Sequence, residues 1–220
     1  MQLKTILNSI EKNKGFVYGD ARWGDRGKRI EVPIRARKNS RAVCSGCGKL
    51  APGYDQLPER AFEYVPLWGI RVVLLYAMRR VDCPRCGVRV EKVPWAKGKS
   101  PLARSFVLFL AGWARRLSWS EVATIFGTTW NRVYDAVRFV VEYGLAHREM
   151  SGVTAIGVDE IRFGRGHRYM TVVYQLNGAV RRLFYVRRDR TVRSLLGFFR
   201  DQGSSWCAGI PSPRTCGGRT

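Results

Sequence analysis

Two pairs of cysteines are the residues of this sequence best suited to chemistry. Cys44 and Cys47 form one CxxC motif, Cys83 and Cys86 form a second, and a glycine follows each pair. A CxxC motif places two thiolates on one tight turn, and two such turns supply the four soft ligands of a tetrahedral Zn²⁺ site. The stretch between the pairs exceeds the roughly 15–20 residues usual in zinc sites, so it is expected to contain strands. The sequence therefore predicts one structural zinc ion.

Two other interpretations of the cysteines remain open. A redox CxxC needs only one pair and is usually found in a βαβ setting. Disulfide bonds would be reduced in a cytosol. Cys207 and Cys216, near the end of the chain, match neither pattern.

A carboxylate next to a predicted strand is the second candidate for chemistry. Residues 153–158 are nearly all apolar, which indicates a strand buried on both faces, and Asp159 and Glu160 follow it. A carboxylate at the end of such a strand is a typical Mg²⁺ ligand in phosphoryl-transfer enzymes. On the residues alone a strand-terminal Asp that caps a turn is the favoured interpretation. Two-metal chemistry needs several carboxylates, and only Glu160, Asp189 and Asp201 follow.

The charge of the chain points to a polyanionic partner. Lys and Arg number 39 against 17 Asp and Glu, for a net charge of +22. Such a field favours nucleic acid, with an affinity that falls as salt rises. The longest apolar run, residues 106–114, is too short to span a bilayer, and the N-terminus does not resemble a signal peptide. The protein is therefore expected to be cytoplasmic and nucleoid-associated, with no membrane partner.

The middle of the chain has the pattern of a helix-turn-helix. A capping box at Ser118 and Glu121 starts a short helix that ends at Gly127, and a longer helix is predicted over about 129–146. In this motif the start of the second helix faces base edges, where Arg can pair with guanine and Asn with adenine. An ordinary helical hairpin with a solvated face is the alternative.

The residues predicted to contact DNA lie in and before this motif. The predicted base contacts and groove-facing residues are Thr128, Thr129, Asn131, Arg132 and Arg138. Arg115 and Arg116, which precede the motif, suit phosphate contacts. Trp130 and Tyr134 are expected to be packing residues.

Other periodic patterns predict the elements that position these residues. A short helix is predicted over 2–11, strands over 29–35, 62–65, 70–78 and 88–93, and a helix from Pro101 with Leu102, Phe106, Phe109, Leu110 and Trp113 on one face. The strands around the cysteines are expected to form a small sheet that depends on its metal.

The end of the chain is expected to contain a hairpin and a helix. Residues 168–176 and 180–187 form the predicted hairpin, with a turn at Asn177 and Gly178. A helix is predicted over 191–202, with Val192, Leu195, Leu196 and Phe199 on one side. Residues 203–220 are rich in Gly, Ser and Pro and are expected to be disordered.

Short stretches, in order along the chain, carry a resemblance to a known family. They are residues 43–48, 80–87, 93–95, 117–119 with 121–123, 144–147 and 155–161. These stretches resemble the ISL3 group of bacterial insertion-sequence transposases over about residues 1–202. That family joins a zinc ribbon, a helix-turn-helix and an RNase H-like DDE nuclease.

The resemblance implies roles for particular residues. It makes the four cysteines zinc ligands and Asp159 the first carboxylate of the catalytic triad. In the full-length family, Mg²⁺ held by three carboxylates supports DNA strand transfer. In this chain the family pattern departs after about residue 202, which resembles a truncation or frameshift that leaves the triad without its second Asp and its Glu.

The expected protein is thus an α+β multidomain chain. Its predicted parts are a zinc-ribbon domain (1–95), an all-α helix-turn-helix domain (96–150), the N-terminal part of an RNase H-like α/β domain (151–202) and a tail (203–220). The expected function is recognition of terminal inverted repeats in double-stranded DNA without catalytic activity. The alternative is a zinc-ribbon/helix-turn-helix regulator or a repressor of an intact transposase. A second copy of the chain or the intact transposase is the possible protein partner.

Overall fold

The chain folds into two compact units of mixed α and β structure. The structure is a computed structural model and describes residues 2–147, 152–177 and 182–201. The units meet in sequence between Tyr143 and Gly144. The mixed α+β class is therefore confirmed. The predicted division between residues 95 and 96 lies inside the first unit, where the sheet and the helices share contacts.

The first unit is built on a six-stranded sheet. Its strands are β1 (Phe16–Tyr18), β2 (Arg22–Gly24), β3 (Arg29–Ala36), β6 (Gly53–Leu67), β7 (Ile70–Cys83) and β8 (Gly87–Val90). β7 pairs parallel with β3 and antiparallel with β6 and β8. The predicted strands are confirmed, but the expectation of a small sheet is wrong. β1, β2 and β3 join the strands around the cysteines because β3 pairs directly with β7.

Aromatic side chains fill the main core of this sheet. Trp95 is only 3% exposed and lies edge-to-face against Phe16, Tyr76 and Phe62, with ring centroids 4.8, 5.2 and 6.2 Å away. Helix α1 (Leu3–Ile10), which confirms the predicted N-terminal helix, contributes Leu7 to the same core. Edge-to-face geometry is the favoured arrangement for aromatic pairs. The core therefore forms from residues outside the two CxxC motifs.

Three helices complete the first unit. They are α2 (Arg104–Trp113), α3 (Trp119–Ile125) and α4 (Trp130–Ala146). The residues buried between them include Phe106, Leu110, Val122, Ala123, Val133 and Ala136. The capping box at Ser118 is present, and Gly127 ends the first helix of the motif with a φ of 60°.

Helix α2 differs from its prediction at both ends. It begins at Arg104 rather than at Pro101, because the preceding residues pair with β6 as a short parallel bridge. The Glu63 amide donates to the Pro101 carbonyl at 2.7 Å, and the Ala103 amide donates to the Glu63 carbonyl at 2.7 Å. Backbone groups engaged with a strand are unavailable to a helix. At the other end Trp113 is 41% exposed.

The second unit contains a three-stranded antiparallel sheet and one helix. Its strands are β9 (Ile156–Arg162), β10 (Tyr169–Gln175) and β11 (Leu183–Arg187), in the order β11–β10–β9. Helix α5 (Val192–Asp201) packs on this sheet through Phe198, which is buried with Val173 and Phe184. The predicted hairpin is confirmed for β10 and β11, while Gly178 and Val180 lie outside the described residues, as does the predicted disorder of residues 203–220.

Two predictions for the second unit are wrong. β9 was expected to be buried and to end before Asp159, but it runs to Arg162 and its residues from Val158 onward are exposed. It is an edge strand, and the buried cluster of the described residues contacts it at Ile156.

The predicted apolar face of helix α5 is only partly the face that packs on the sheet. Leu195 of that face packs with the buried Phe198 against the sheet. The other three residues of the predicted face, Val192, Leu196 and Phe199, are 75%, 55% and 38% exposed.

No helix among the described residues has both the length and the apolar character needed to cross a membrane.

Candidate metal centre and nucleic-acid interface

The structure brings the four predicted zinc ligands together. The sulfur atoms of Cys44, Cys47, Cys83 and Cys86 all lie within 4.8 Å of one another. The Cys47 and Cys83 sulfurs are 3.6 Å apart, well beyond the roughly 2.0 Å of a disulfide bond. Tetrahedral zinc with bonds of about 2.3 Å separates its sulfur ligands by about 3.8 Å. The cluster could therefore hold a metal ion such as zinc.

Two short turns hold these sulfurs in place. The first CxxC lies between β4 (Ala42–Val43) and β5 (Leu50–Ala51), and the second lies in the turn from β7 to β8. The Gly48 amide donates to the Cys44 carbonyl at 2.9 Å, and Gly48 itself has a φ of 70°. Gly46 lies close to the second turn, since a methyl group there would be 3.1 Å from the Cys86 sulfur. Glycines after and inside the first motif thus allow the turns to meet.

The four thiols have an electrostatic environment that suits a cation. Desolvation and hydrogen bonds with Cys47, Cys44 and Cys83 raise the pKa of Cys86 to about 12. Crowded thiols oppose each other's ionisation, whereas a coordinated divalent cation deprotonates them. The donor set and its spacing therefore fit a metal that binds thiolates.

A buried acidic residue, Glu91, follows β8 and pairs with β7, the strand that leads into the second CxxC motif. Glu91, 2% exposed, accepts hydrogen bonds from the Tyr76 hydroxyl at 2.6 Å and from the Arg79 Nε and Nη2 atoms at 3.0 and 2.8 Å. Arg79 also donates through Nη1 to the Ser40 carbonyl at 2.9 Å. Burial and the hydrogen bond to Glu91 raise the pKa of Tyr76.

Glu91 is also joined to the first CxxC through its backbone. It forms an antiparallel bridge with Cys44, and the neighbouring Lys92 amide donates to the Val43 carbonyl at 2.7 Å. No pattern in the sequence indicates this role, because Glu91 lies in an alternating strand pattern in which charged residues are expected to face solvent. Only the meeting of β7, β8 and the first turn buries its carboxylate.

The residues predicted to contact nucleic acid differ in their exposure and in their hydrogen-bond and ion-pair partners. Thr129 and Asn131 are exposed at the start of α4. Arg115 and Arg116 are exposed in the turn after α2 rather than at its end, and within the described parts of the chain neither forms an ion pair. Thr128 is half-buried, and its Oγ1 atom has no hydrogen-bond partner among the described residues. Thr129 and Asn131 are therefore accessible at the start of α4, and Arg115 and Arg116 are accessible in the turn after α2.

Two of the predicted DNA-contacting arginines are engaged in ion pairs. The Arg132 Nη1 atom lies 2.6 Å from the Glu63 Oε1 atom, which also accepts from Arg71 at 3.0 Å. Arg138 pairs with Asp135 at 3.1 Å. The Arg132 pair fixes the start of α4 to β6, so this residue has a structural role that the sequence did not indicate. Base contacts by Arg132 and Arg138 stay predictions.

Two aromatic residues of α4 pack at the surface of the protein. Trp130 and Tyr134, expected to be packing residues, stack on each other at 5.7 Å and both contact the ring of Trp119, yet they are 47% and 40% exposed. Val133 and Ala136 occupy the inward face of α4 instead. The exposed start of α4 therefore carries an aromatic pair beside Asn131.

Asp159 lies in the middle of β9, opposite Val172, and is exposed. Its neighbour Glu160 pairs with Arg190 at 2.5 Å. In the parts of the chain that are described, the cysteines form the one group of three or more potential metal ligands.

Comparison with known proteins points to transposases. A transposase family model, the DDE domain of the ISL3 type, matches residues 156–212. The match extends past residue 202, where the family pattern is expected to end on the sequence alone.

Curated relatives match a larger part of the chain. The transposase for insertion sequence element IS1557 of Mycobacterium tuberculosis is 30% identical over 172 residues, which cover 77% of this chain and 37% of the relative. The transposase for insertion sequence element IS1001 of Bordetella parapertussis is 21% identical over 198 residues, or 89% of this chain and 48% of the relative. No solved structure matches.

The chain thus spans less than half the length of these curated relatives. The family model and both relatives are transposases, and the relatives match most of this chain. The chain is therefore similar to the insertion-sequence transposases, with the ISL3-type transposase domain matched over residues 156–212.

Proposed function

We propose that this chain binds double-stranded DNA at the terminal inverted repeats of an insertion sequence. The observation that carries the proposal is the start of α4, where Thr129 and Asn131 are exposed after a capped helix and a tight glycine turn. This is the position from which a helix-turn-helix reads base edges in the major groove. Arg115 and Arg116, exposed and without ion-pair partners among the described residues, suit phosphate contacts beside it.

The metal centre has a structural role in this proposal. One Zn²⁺ ion is held by the four cysteines and joins the first CxxC turn to the end of β7. The support is the mutual distance of the sulfurs and the absence of an open ligand position for substrate in a four-cysteine set.

The DNA-binding proposal is tested by two substitutions with different expected effects. Asn131→Ala is expected to lose discrimination between repeat DNA and a scrambled duplex by about 1–3 kcal/mol, because a base contact carries sequence information. Arg115→Ala is expected to weaken binding to both duplexes alike and to reduce the salt slope by about 1. Fluorescence anisotropy over a range of salt concentrations measures both effects on the terminal sequences that flank the coding gene.

Asn131 is preferred to Arg132 for this test because Arg132→Ala would also remove the ion pair with Glu63. Equal affinity of the unsubstituted chain for repeat and scrambled DNA would contradict recognition of the repeats. An affinity independent of salt would contradict DNA binding through phosphate contacts.

We further propose that this chain does not cut DNA by itself. Asp159, the one residue that the family resemblance assigns to the triad, is exposed in mid-strand and belongs to no group of three potential ligands among the described residues. Two-metal cleavage needs several carboxylates around one site. Bound repeat ends would then be occupied without being cleaved, alone, with a second copy of the chain or with an intact transposase.

The expected result is no strand cleavage of repeat DNA in Mg²⁺ or Mn²⁺. The measurement is a denaturing gel of end-labelled duplex, with Asp159→Asn as the matched control. Cleavage by the unsubstituted chain that disappears in Asp159→Asn would show that the proposal of inactivity is wrong.

A further inference from the structure

The turn between β6 and β7 contains an unusual residue. Leu67 pairs with Ile70, so Trp68 and Gly69 alone form the connection. Both have left-handed backbone conformations, with φ angles of 51° and 78°. A two-residue turn with this geometry matches the twist of the hairpin, and Asn–Gly is the sequence that it favours. Here a tryptophan stands where asparagine would be usual.

This tryptophan contributes little to the folded protein. Its side chain is 90% exposed. A bulky residue with a positive φ is strained, and an exposed indole gains almost nothing from the hydrophobic effect. Strained residues that bury nothing mark functional positions more often than structural ones. The side chain is therefore available to contact another molecule.

Basic residues lie at the same end of the sheet. β3 runs parallel to β7, with Arg29 paired to Arg71, so both strands begin at this end. The turn Asp25–Gly27 and Lys28 immediately precede β3. Arg26 and Lys28 are exposed, and among the described residues neither has an ion-pair partner. Asp25 in the same turn offsets one of these two charges, and the net positive charge left at the end of the sheet that carries the indole suits a polyanion with flat apolar surfaces.

The start of α4 is anchored close to this end. Glu63 of β6 accepts from Arg132 of α4 at 2.6 Å and from Arg71 at 3.0 Å. At about 3.3 Å per strand residue, the chain from Glu63 to Trp68 spans at most roughly 17 Å. This is about half of a DNA helical turn of roughly 34 Å, the distance from a major groove to the next minor groove on the same side.

We propose that the hairpin tip is a second DNA-contacting element, which inserts the Trp68 indole into the minor groove beside the segment read by α4. Arg26 and Lys28 contact the phosphates there. Apolar side chains that wedge between base steps from the minor groove are a known mode of binding, because the unstacked and bent duplex then contacts more of the protein surface. This inference rests on the proposed DNA binding by the helix-turn-helix and adds a contact to flanking DNA.

Trp68→Asn tests the proposal without harming the fold. Asparagine is favoured in this turn, so the thermal midpoint of the variant is expected to equal or exceed that of the unsubstituted protein. Its affinity for a repeat duplex of about 30 base pairs, roughly three helical turns, is expected to fall about tenfold. Its affinity for a duplex of about 12 base pairs centred on the α4 site, roughly one turn, is expected to stay unchanged. Trp68→Phe keeps an aromatic ring and is expected to retain most of the long-duplex affinity.

The outcomes separate this inference from the proposed function. One outcome is that the unsubstituted protein binds repeat DNA and that Trp68→Asn has the same affinity as the unsubstituted protein for each duplex. That outcome overturns the hairpin contact and leaves the helix-turn-helix proposal standing. A change of oligomeric state in Trp68→Asn, measured by light scattering, with long-duplex affinity retained would assign the tip to protein contact and overturn the inference. Failure of the unsubstituted protein to bind either duplex would overturn both proposals.

Discussion

Cys83→Ser is expected to purify without zinc, whereas the unsubstituted chain is expected to carry one ion per molecule. Cys83 is 4% exposed and its sulfur lies 3.6 Å from that of Cys47. A serine hydroxyl at this position is a poor ligand for a soft-ligand site. Linkage makes the loss large, because saturation at a thousand times Kd stabilises the folded state by about 4 kcal/mol. The measurement is metal content after purification under reducing conditions, with urea unfolding in parallel.

The structure limits the part of the chain that Cys83→Ser is expected to unfold. From the sequence, the whole sheet around the cysteines is expected to depend on its metal, but the main core around Trp95 does not include the cysteines. The cysteines lie in a separate cluster with Ala42, Ala51 and Val81. We therefore expect the two turns to open while the six-stranded sheet persists. Limited proteolysis with trypsin is expected to cut first at Arg41, Lys49 and Arg85.

Cys207→Ser is the matched control for this experiment, because Cys207 belongs to neither CxxC motif. It is expected to keep one zinc ion and the tryptic pattern of the unsubstituted chain. A Cys83→Ser protein that retains a full equivalent of zinc would remove this residue from the ligand set. A chain without metal before any substitution would contradict the zinc site itself.

Glu91→Ala is expected to destabilise the first unit by about 3–5 kcal/mol, the usual cost of removing one partner from a buried ion pair. The Glu91 side chain is fully buried and that of Arg79 is 21% exposed. Truncation leaves the Arg79 guanidinium and the Tyr76 hydroxyl without their acceptor inside the protein. Urea unfolding followed by tryptophan fluorescence measures the change.

The same substitution is expected to weaken metal binding. Arg79 connects Glu91 to the Ser40 carbonyl, just before the first CxxC turn, and the Glu91 backbone bridges Cys44. Groups that orient metal ligands from behind typically change metal affinity by about 10–100-fold when they are lost. Competition with a chromophoric chelator measures the affinity of the folded variant.

Two controls separate burial from charge in this experiment. Glu91→Gln keeps the size of the side chain and one acceptor oxygen, and is expected to cost less than Glu91→Ala. Asp55→Asn removes an exposed ion pair with Arg80, which joins β6 and β7, and is expected to leave the urea midpoint nearly unchanged. If Glu91→Ala shifts the midpoint no more than Asp55→Asn does, the buried cluster contributes nothing to stability.

Much of the metal centre could be predicted from the sequence because ligand spacing is local information. Each CxxC motif fixes two sulfurs on one turn through bonds within a few residues. The cap at Ser118 and the turn at Gly127 were also predictable, since capping depends on residues three positions apart. The local features that involve the fewest long-range contacts were the ones predicted correctly.

Predictions that depended on the direction of a side chain were less successful. Trp130 and Tyr134 are large aromatic residues of the kind that usually packs in a protein, yet Val133 and Ala136 are the residues of α4 that face inward. Helix α5 shows the same limit, since only Leu195 of its predicted apolar face packs against the sheet. Periodicity indicates that a face is apolar, but only the neighbouring elements decide which apolar face is covered.

The sequence by itself determined the chemistry available to this protein: four thiols in paired motifs, a capped helix followed by a glycine turn and a longer helix, a strongly basic chain and the order of parts that resembles a transposase. The tertiary structure alone decided that Glu91 is buried with Tyr76 and Arg79, that Arg132 is held by Glu63 and that Trp68 stands exposed in the turn between β6 and β7. The physical reason is that strand pairing joins residues far apart in the chain. The register that β7 adopts with β3, β6 and β8 sets which charges are desolvated and which remain in water.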